Sequence, residues 1–284
     1  MESDWFVAVL TTFFQAIPKC LKKVIRGTDN HPAMHQTTML YMPDIESNYI
    51  IGFTAKVLRA GKDFVVLDRT AFYPLGGGQP SDIGTLSWGS ETTKVAEVKK
   101  KGEVVHSLKG PVPPEGTVVR GAVDWALRYG HMRNHTAQHL ISAVVYDMFG
   151  GKTVGNQIHA DHSRIDFEPT NLTPEDLEKI KAVCNERVAK AVPVKLYEME
   201  RPELEKKKGQ LRITLEHLPP SVRSLRIIEI QDYDVCPCAG THIRNLSEVV
   251  GYDQMSRESK GKDRTRVTYS LLPARPEIKG KILD

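Results

Sequence analysis

The 284-residue chain has only four cysteines, Cys20, Cys184, Cys236 and Cys238. So few exclude the disulfide framework of a secreted scaffold and point to a reducing compartment, the cytoplasm. Long apolar runs are lacking too. The most apolar stretch near the start, 5–17, is too short to span a bilayer. Glu2 and Asp4 stand where a signal peptide carries basic residues. No membrane partner is therefore expected. Internal repeats and low-complexity tracts are absent, which excludes solenoid and disordered-array architectures. Charge of one sign is also scarce. The formal net charge of +4 neither demands a nucleic-acid partner nor argues against one, so local clusters must decide.

What is present is the balance of an ordinary globular protein, 40% hydrophobic and 26% charged, with length for two domains. From 49 to 123 the signals are short β-branched or alternating segments at 50–57, 64–67, 94–98, 104–108 and 117–123. Gly61, Gly76, Gly77, Gly78 and Gly102 punctuate them. Several strands in so short a span predict a small antiparallel barrel or sandwich.

Near Trp125 the period changes. Leu140, Ile141, Val144, Val145 and Met148 fall at helical spacing, and Gly150 with Gly151 closes that helix. Thr173, Pro174, Glu175 and Asp176 offer an N-cap, a proline at the first helical position and first-turn acids for a second helix ending near Ala191. Strands are predicted at 153–158, 163–167, 194–200, 225–230 and 267–272. The second half is therefore α+β, with two long helices against a sheet. The expected order is a poorly specified extension over 1–44, a glycine-motif barrel over 45–124, an α+β domain over 125–274 and a tail over 275–284.

His135 and His139 lie four apart on the first helix, so both imidazoles can reach one ion. Cys238 and His242 repeat the spacing far downstream and complete a nitrogen–sulfur set of the kind zinc prefers. Cys236 is a rival ligand, but Cys238 is favoured because its spacing to His242 lets both face one ion across a turn. A zincin peptidase needs glutamate after its first histidine, and that position here is Thr136. Cys184, on an apolar helix face, reads as a buried small hydrophobe.

His135-Thr136-Ala137-Gln138-His139 together with Cys238-Ala239-Gly240-Thr241-His242 resembles the freestanding alanyl-tRNA editing proteins of the AlaX type, relatives of the alanyl-tRNA synthetase editing domain. Thr70–Pro80, which includes Gly76, Gly77, Gly78 and Gln79, is similar to the glycine-rich motif of the barrel preceding that domain. The resemblance covers roughly 45–272. It implies hydrolysis of the ester joining serine or glycine to the tRNA for alanine, with one zinc held by His135, His139, Cys238 and His242. It implies substrate contacts at Thr153, Gln138, Gly76, Gly77, Gly78 and Gln79, and no obligatory protein partner. Telling serine from alanine requires a site that hydrogen-bonds a hydroxyl, and Thr153 can supply it. Four protein ligands would fill a closed structural site, which leaves open whether zinc activates water or only positions the substrate.

Lysine-rich runs at Lys99, Lys100 and Lys101, at Lys206, Lys207 and Lys208, and at Lys260, Lys262, Arg264 and Arg266 are ordinarily solvated surface. Three in one mildly charged chain suggest a phosphate-contacting face, with Lys206, Lys207, Lys208, Lys260, Lys262 and Arg264 as expected tRNA contacts. Two other readings stay open on sequence alone. One is an editor of another tRNA, as in the threonyl-tRNA synthetase editing module. The other is a zinc-stabilised RNA-binding module without hydrolytic activity.

Overall fold

A computed structural model describes residues 36–206 and 223–283. In the first half, β1 (Thr38–Met39), β2 (Ile50–Ala60), β3 (Phe64–Leu67), β4 (Arg69–Thr70), β5 (Gly84–Trp88), β6 (Glu91–Lys101), β7 (Glu103–Lys109) and β8 (Val118–Val123) follow one another. Six of them close an antiparallel barrel in the order β2-β3-β7-β6-β5-β8, with β8 returning to β2. Alternation dictates what fills it. Phe53, Ala55 and Val57 of β2 and Val119 and Val123 of β8 point inward and are buried, while Thr54, Lys56 and Arg120 face out. Gly121 lets Phe53 lie across β8, because a Cβ there would fall 2.4 Å from the Phe53 ring. Each fully buried aliphatic or aromatic side chain contributes roughly 1.5–3 kcal/mol.

The fold begins upstream of residue 45. Thr38–Met39 pairs in parallel with Arg69–Thr70, Tyr41 is buried, and Asn48 donates to the Tyr41 carbonyl at 2.8 Å. A two-residue strand paired with a distant segment carries no periodicity of its own, which is why the sequence there reads as an extension.

The second half runs α1 (Trp125–Phe149), β9 (Lys152–Ile158), β10 (His162–Glu168), α2 (Pro174–Ala189), β11 (Val194–Glu200), α3 (Arg201–Lys206), β12 (Ser224–Ile230), β13 (Asp234–Pro237), β14 (Tyr252–Ser259), β15 (Thr265–Leu271) and β16 (Lys281–Ile282). The strands form one sheet in the order β14-β15-β10-β9 and another in the order β11-β12-β13. This is the α+β architecture expected. Asp124 caps α1 by accepting from the Leu127 N–H at 3.1 Å, and Gly150 ends it at φ 70°. A reciprocal Thr173–Asp176 capping box starts α2.

From His131 to Val145 every residue of α1 is buried. A helix with no solvent face needs partners on all sides, and here they include polar ones. Leu140, Ile141, Val144 and Val145 join the core with Ile165, Phe167, Ile180 and Ile228. Cys184 belongs to the same core, as expected. The segment 275–283 also packs: β16 pairs with β2, Leu283 N–H donates to the Gly52 carbonyl at 2.8 Å, and Trp125 donates to the Ile278 carbonyl at 3.1 Å.

Candidate metal centre

Helical spacing on α1 stacks His135 over His139, their ring centroids 5.4 Å apart. The loop after β13 brings Cys238 and His242 against them. One ligand atom from each of His135, His139, Cys238 and His242 lies within 4.8 Å of all the others. Cys238 Sγ is 3.6 Å from His135 Nε2 and 3.3 Å from His242 Nε2. Tetrahedral zinc, with ligands at 2.0–2.3 Å, requires donors about 3.3–3.8 Å apart. The cluster can hold a metal ion; its nitrogen–sulfur donors are those zinc prefers, and both Cys238 distances fall in that range.

Each imidazole is gripped from behind at Nδ1, which leaves Nε2 as the remaining donor. His135 Nδ1 donates to Gln79 Oε1 at 2.9 Å, and His139 Nδ1 to Asp234 Oδ2 at 2.9 Å. The Thr136 hydroxyl lies 3.1 Å from His242 Nδ1 and accepts from the Ile243 N–H at 3.3 Å. Thr136 thus takes a positioning place where a zincin carries its general base. Arg226 fastens the thiol turn by donating to the Cys238 and Gly240 carbonyls at 2.7 and 2.9 Å.

The electrostatics favour the ligating forms of Cys238 and His242. Burial pushes the Cys238 thiol up, but His135 and His242 together hold it well below its ordinary value. Burial also keeps His242 well below the usual imidazole range, so it stays neutral. His139 goes the other way: burial opposes its charge, yet Cys236 and the Asp234 hydrogen bond raise it well above that range. Cys236 groups with His139 and Asp234 rather than with the four-donor set. Its thiol is pushed up by burial.

A cavity of about 230 Å³ opens beside the cluster. Its wall includes Gln138, Ser142, Thr153, Asn156, Gly77 and Cys236 as well as His135, His139 and Cys238. Gln138 donates to Ser142 Oγ at 2.8 Å, Ser142 Oγ lies 2.7 Å from Thr153 Oγ1, and Asn156 donates to Gln138 Oε1 at 3.3 Å. Ser142 and Asn156 were not anticipated. Ser142 stands four residues after Gln138, hence on the same helical face, and that spacing is a signal the sequence carries. Thr153 and Asn156 have opposite parity on β9. They reach one side because the register with β10 slips between Asp166 and Phe167, a bulge at Val154.

The other expected site residues divide. Of the glycine run, Gly77 lines the cavity. Gly76 pairs with Gln79 across a tight turn, and the Gly78 carbonyl accepts from Ile158 N–H at 2.8 Å. Gln79, expected to touch substrate, is fully buried behind His135 and is absent from the cavity wall. Its amide is spent on the metal-ligand frame. Lys206 ends α3, while Lys207 and Lys208 lie outside the described residues. Lys260 is bonded to Glu258 and Arg264 Nε lies 3.5 Å from Glu168, whereas Lys262 is exposed.

Fold and site together define an α+β protein in which a loop of a closed barrel braces a three-histidine, one-thiol cluster beside a small polar cavity. Comparison with known proteins narrows this. Residues 29–127 match the family of tRNA synthetases class II (A), and residues 225–268 match the threonyl and alanyl tRNA synthetase second additional domain. The alanyl-tRNA editing protein AlaX-M of Methanosarcina barkeri is 35% identical over 244 residues, 83% of this chain and 99% of the relative. AlaX-M of Methanosarcina mazei is 35% identical over 247 residues, 83% of this chain and 97% of the relative. The alanine–tRNA ligase of Korarchaeum cryptofilum is 36% identical over 231 residues, 80% of this chain but 25% of the ligase. The chain belongs to the family of alanyl-tRNA editing proteins of the AlaX type.

Proposed function

We propose that the protein is a zinc-dependent hydrolase that cleaves the ester joining a wrong amino acid, serine above all, to the tRNA for alanine. One observation carries the reading: His135, His139 and Cys238 of the four-donor cluster and the Ser142–Thr153 hydroxyl pair line one cavity. At about 230 Å³ that cavity is below the usual 300–1,000 Å³ of small-molecule sites, a size for an aminoacyl group. His135, His139, Cys238 and His242 would hold the ion, which as a Lewis acid would polarise the ester carbonyl, activate water or hold the substrate amine.

The chain's own groups supply selection. Gln138, Ser142 and Thr153 form a hydroxyl–amide chain that a serine side chain can join. Glycine places nothing against it. Alanine would press a methyl group onto paired hydroxyls and strip their remaining hydration, which is unfavourable. Among the described residues of the cavity wall, Asp234 is the sole carboxylate, and it accepts the His139 N–H.

The partner is mischarged tRNA, which sets the activity in the cytoplasm. Among the described residues no helix is long and apolar enough to cross a membrane. The test is release of amino acid from alanine tRNA charged with serine, glycine or alanine, and from threonine tRNA charged with serine. Rapid release of serine from alanine tRNA, abolished by chelator, is expected. Binding without release would overturn the hydrolase reading, and equal release from threonine tRNA would overturn the choice of tRNA.

A further inference from the structure

Among the described residues, one barrel side chain bonds both segments that carry the candidate ligands. Gln79 sits at the end of the glycine run, fully buried, and its side chain makes three hydrogen bonds. Its Oε1 accepts from His135 Nδ1 at 2.9 Å and from the Thr241 N–H at 3.1 Å, while its Nε2 donates to Thr241 Oγ1 at 2.9 Å. His135 belongs to α1, and Thr241 lies between Cys238 and His242. One amide from the barrel therefore ties together both segments that carry ligands. His139 and His242 are gripped at Nδ1 by Asp234 and Thr136, both from the second half. His135 is the ring whose Nδ1 partner comes from the barrel.

Packing makes that contact specific. A Cβ on Gly240 would fall 2.1 Å from His135 Cε1 and 3.1 Å from Gln79 Oε1. The ring is thus clamped between the Gly240 backbone and the Gln79 amide. Asn48 adds a second tie by accepting the His242 N–H at 2.6 Å. Gly77, two residues before Gln79, lines the substrate cavity. The same turn shapes the cavity wall and sets a ligand.

We propose that Gln79 is a positioning residue of the metal centre: it fixes the tautomer and orientation of His135, so the barrel is part of the metal site. This rests on the reading of the four-donor cluster as a zinc site. Partners of this kind typically govern affinity 10–100-fold.

The experiment is zinc affinity of the full chain by competition with a chromophoric chelator, alongside the visible absorption of the cobalt(II) form. Gln79→Met, close in size but without an acceptor for His135, should weaken zinc binding about 10–100-fold and alter the cobalt spectrum. Gln79→Glu keeps the acceptor and should bind zinc as tightly as the unaltered chain or more tightly. Where Gln79→Met fails to fold, Gln79→Asn keeps the amide but withdraws it from His135, and should show the same loss. Met and Asn variants that bind zinc with undiminished affinity would overturn the proposal, as would a Glu variant as weak as the Met variant. An unaltered chain that binds no zinc would instead overturn the metal reading itself.

Discussion

At the scale of single residues, the cavity wall presents the paired hydroxyls of Ser142 and Thr153. Thr153→Val keeps the shape of the side chain and removes the oxygen 2.7 Å from Ser142. Losing one such hydrogen bond costs about 1–1.5 kcal/mol, so discharge of serine should fall about tenfold. Discharge of glycine, which presents nothing to the pair, should stay level. Equal losses for both would show that Thr153 serves only packing. Cys236→Ser tests the competing thiol: metal content should persist at about one zinc per chain, whereas Cys238→Ala or His139→Ala should abolish it. Loss of metal in the Cys236 variant alone would reverse the assignment. His106 sets a pH dependence in the barrel. It is fully buried, with Nε2 2.8 Å from Thr70 Oγ1, and burial pushes its pKa down to about 4 despite the Val65 carbonyl. The unfolded chain binds this proton near the ordinary 6.5 and the folded one near 4. Between those values the unfolded state is the more protonated, so stability falls as pH drops from about 6.5 towards 4. The full contribution is about 3 kcal/mol. Urea unfolding at pH 7 and pH 4.5 should show a smaller difference for His106→Gln. An unchanged difference would assign the acid sensitivity elsewhere.

Elements differ in how openly the sequence declares them. Helix α1 was legible because its apolar residues recur at helical spacing and Gly150 stops it, and α2 because its capping box is written out in Thr173 and Asp176. Strands β2, β3, β6, β7 and β8 of the barrel were legible from alternation and β-branched residues, and so were β9, β10, β11, β12 and β15 of the second half. Strands β5, β13 and β14 were not, for physical reasons. Strand β14 buries only Tyr252 and exposes the polar run after it, so no alternation survives. Strand β5 offers Leu86 as its single buried residue, and β13 is four residues with a proline. The four-donor cluster was readable because two-by-two spacing is a local signal. The role of Gln79 was not, since its partners His135 and Thr241 lie far along the chain, and a glutamine beside glycines looks like a substrate contact. The bulge in β9 was equally hidden, because it follows from pairing and not from composition. The glycine turn shows what a local rule does predict. Gly78 has φ 80°, and a Cβ there would fall 1.9 Å from Asn156 Oδ1. Gly78→Ala should therefore both strain the backbone by about 1 kcal/mol and displace Asn156 from the cavity wall. Serine discharge should drop while zinc content stays, and an unaffected rate would detach this turn from the substrate.

Across the whole molecule, the two halves are fastened by polar groups that tolerate little replacement. Arg128 and Asp82 are buried and ion-paired, with Arg128 Nε 3.1 and 3.0 Å from the two carboxylate oxygens. Arg128 also donates to the Asn48 and Ala71 carbonyls at 2.8 and 2.6 Å. Removing one partner of a buried pair typically costs 3–5 kcal/mol. This pair joins the start of α1 to the barrel loop beyond Gln79, so its loss would loosen the same turn that positions His135. How the assembled molecule meets tRNA is a separate matter of charge. Basic runs suggested a phosphate-contacting face, yet the structure pairs Lys99 with Glu97 at 2.7 Å, Lys260 with Glu258 and Arg264 with Glu168. A cation already paired with a carboxylate displaces fewer counterions when a phosphate arrives, because its own field is partly cancelled. Each unpaired contact to phosphate changes the slope of log affinity against log salt by about one. Neutralising Lys260, Lys262 and Arg264 together should therefore lower the slope by about one, not by three, with exposed Lys262 carrying most of it. A slope unchanged by the triple substitution would remove this hairpin from the tRNA-binding face. A drop of three would mean that tRNA pulls Lys260 and Arg264 away from Glu258 and Glu168 on binding.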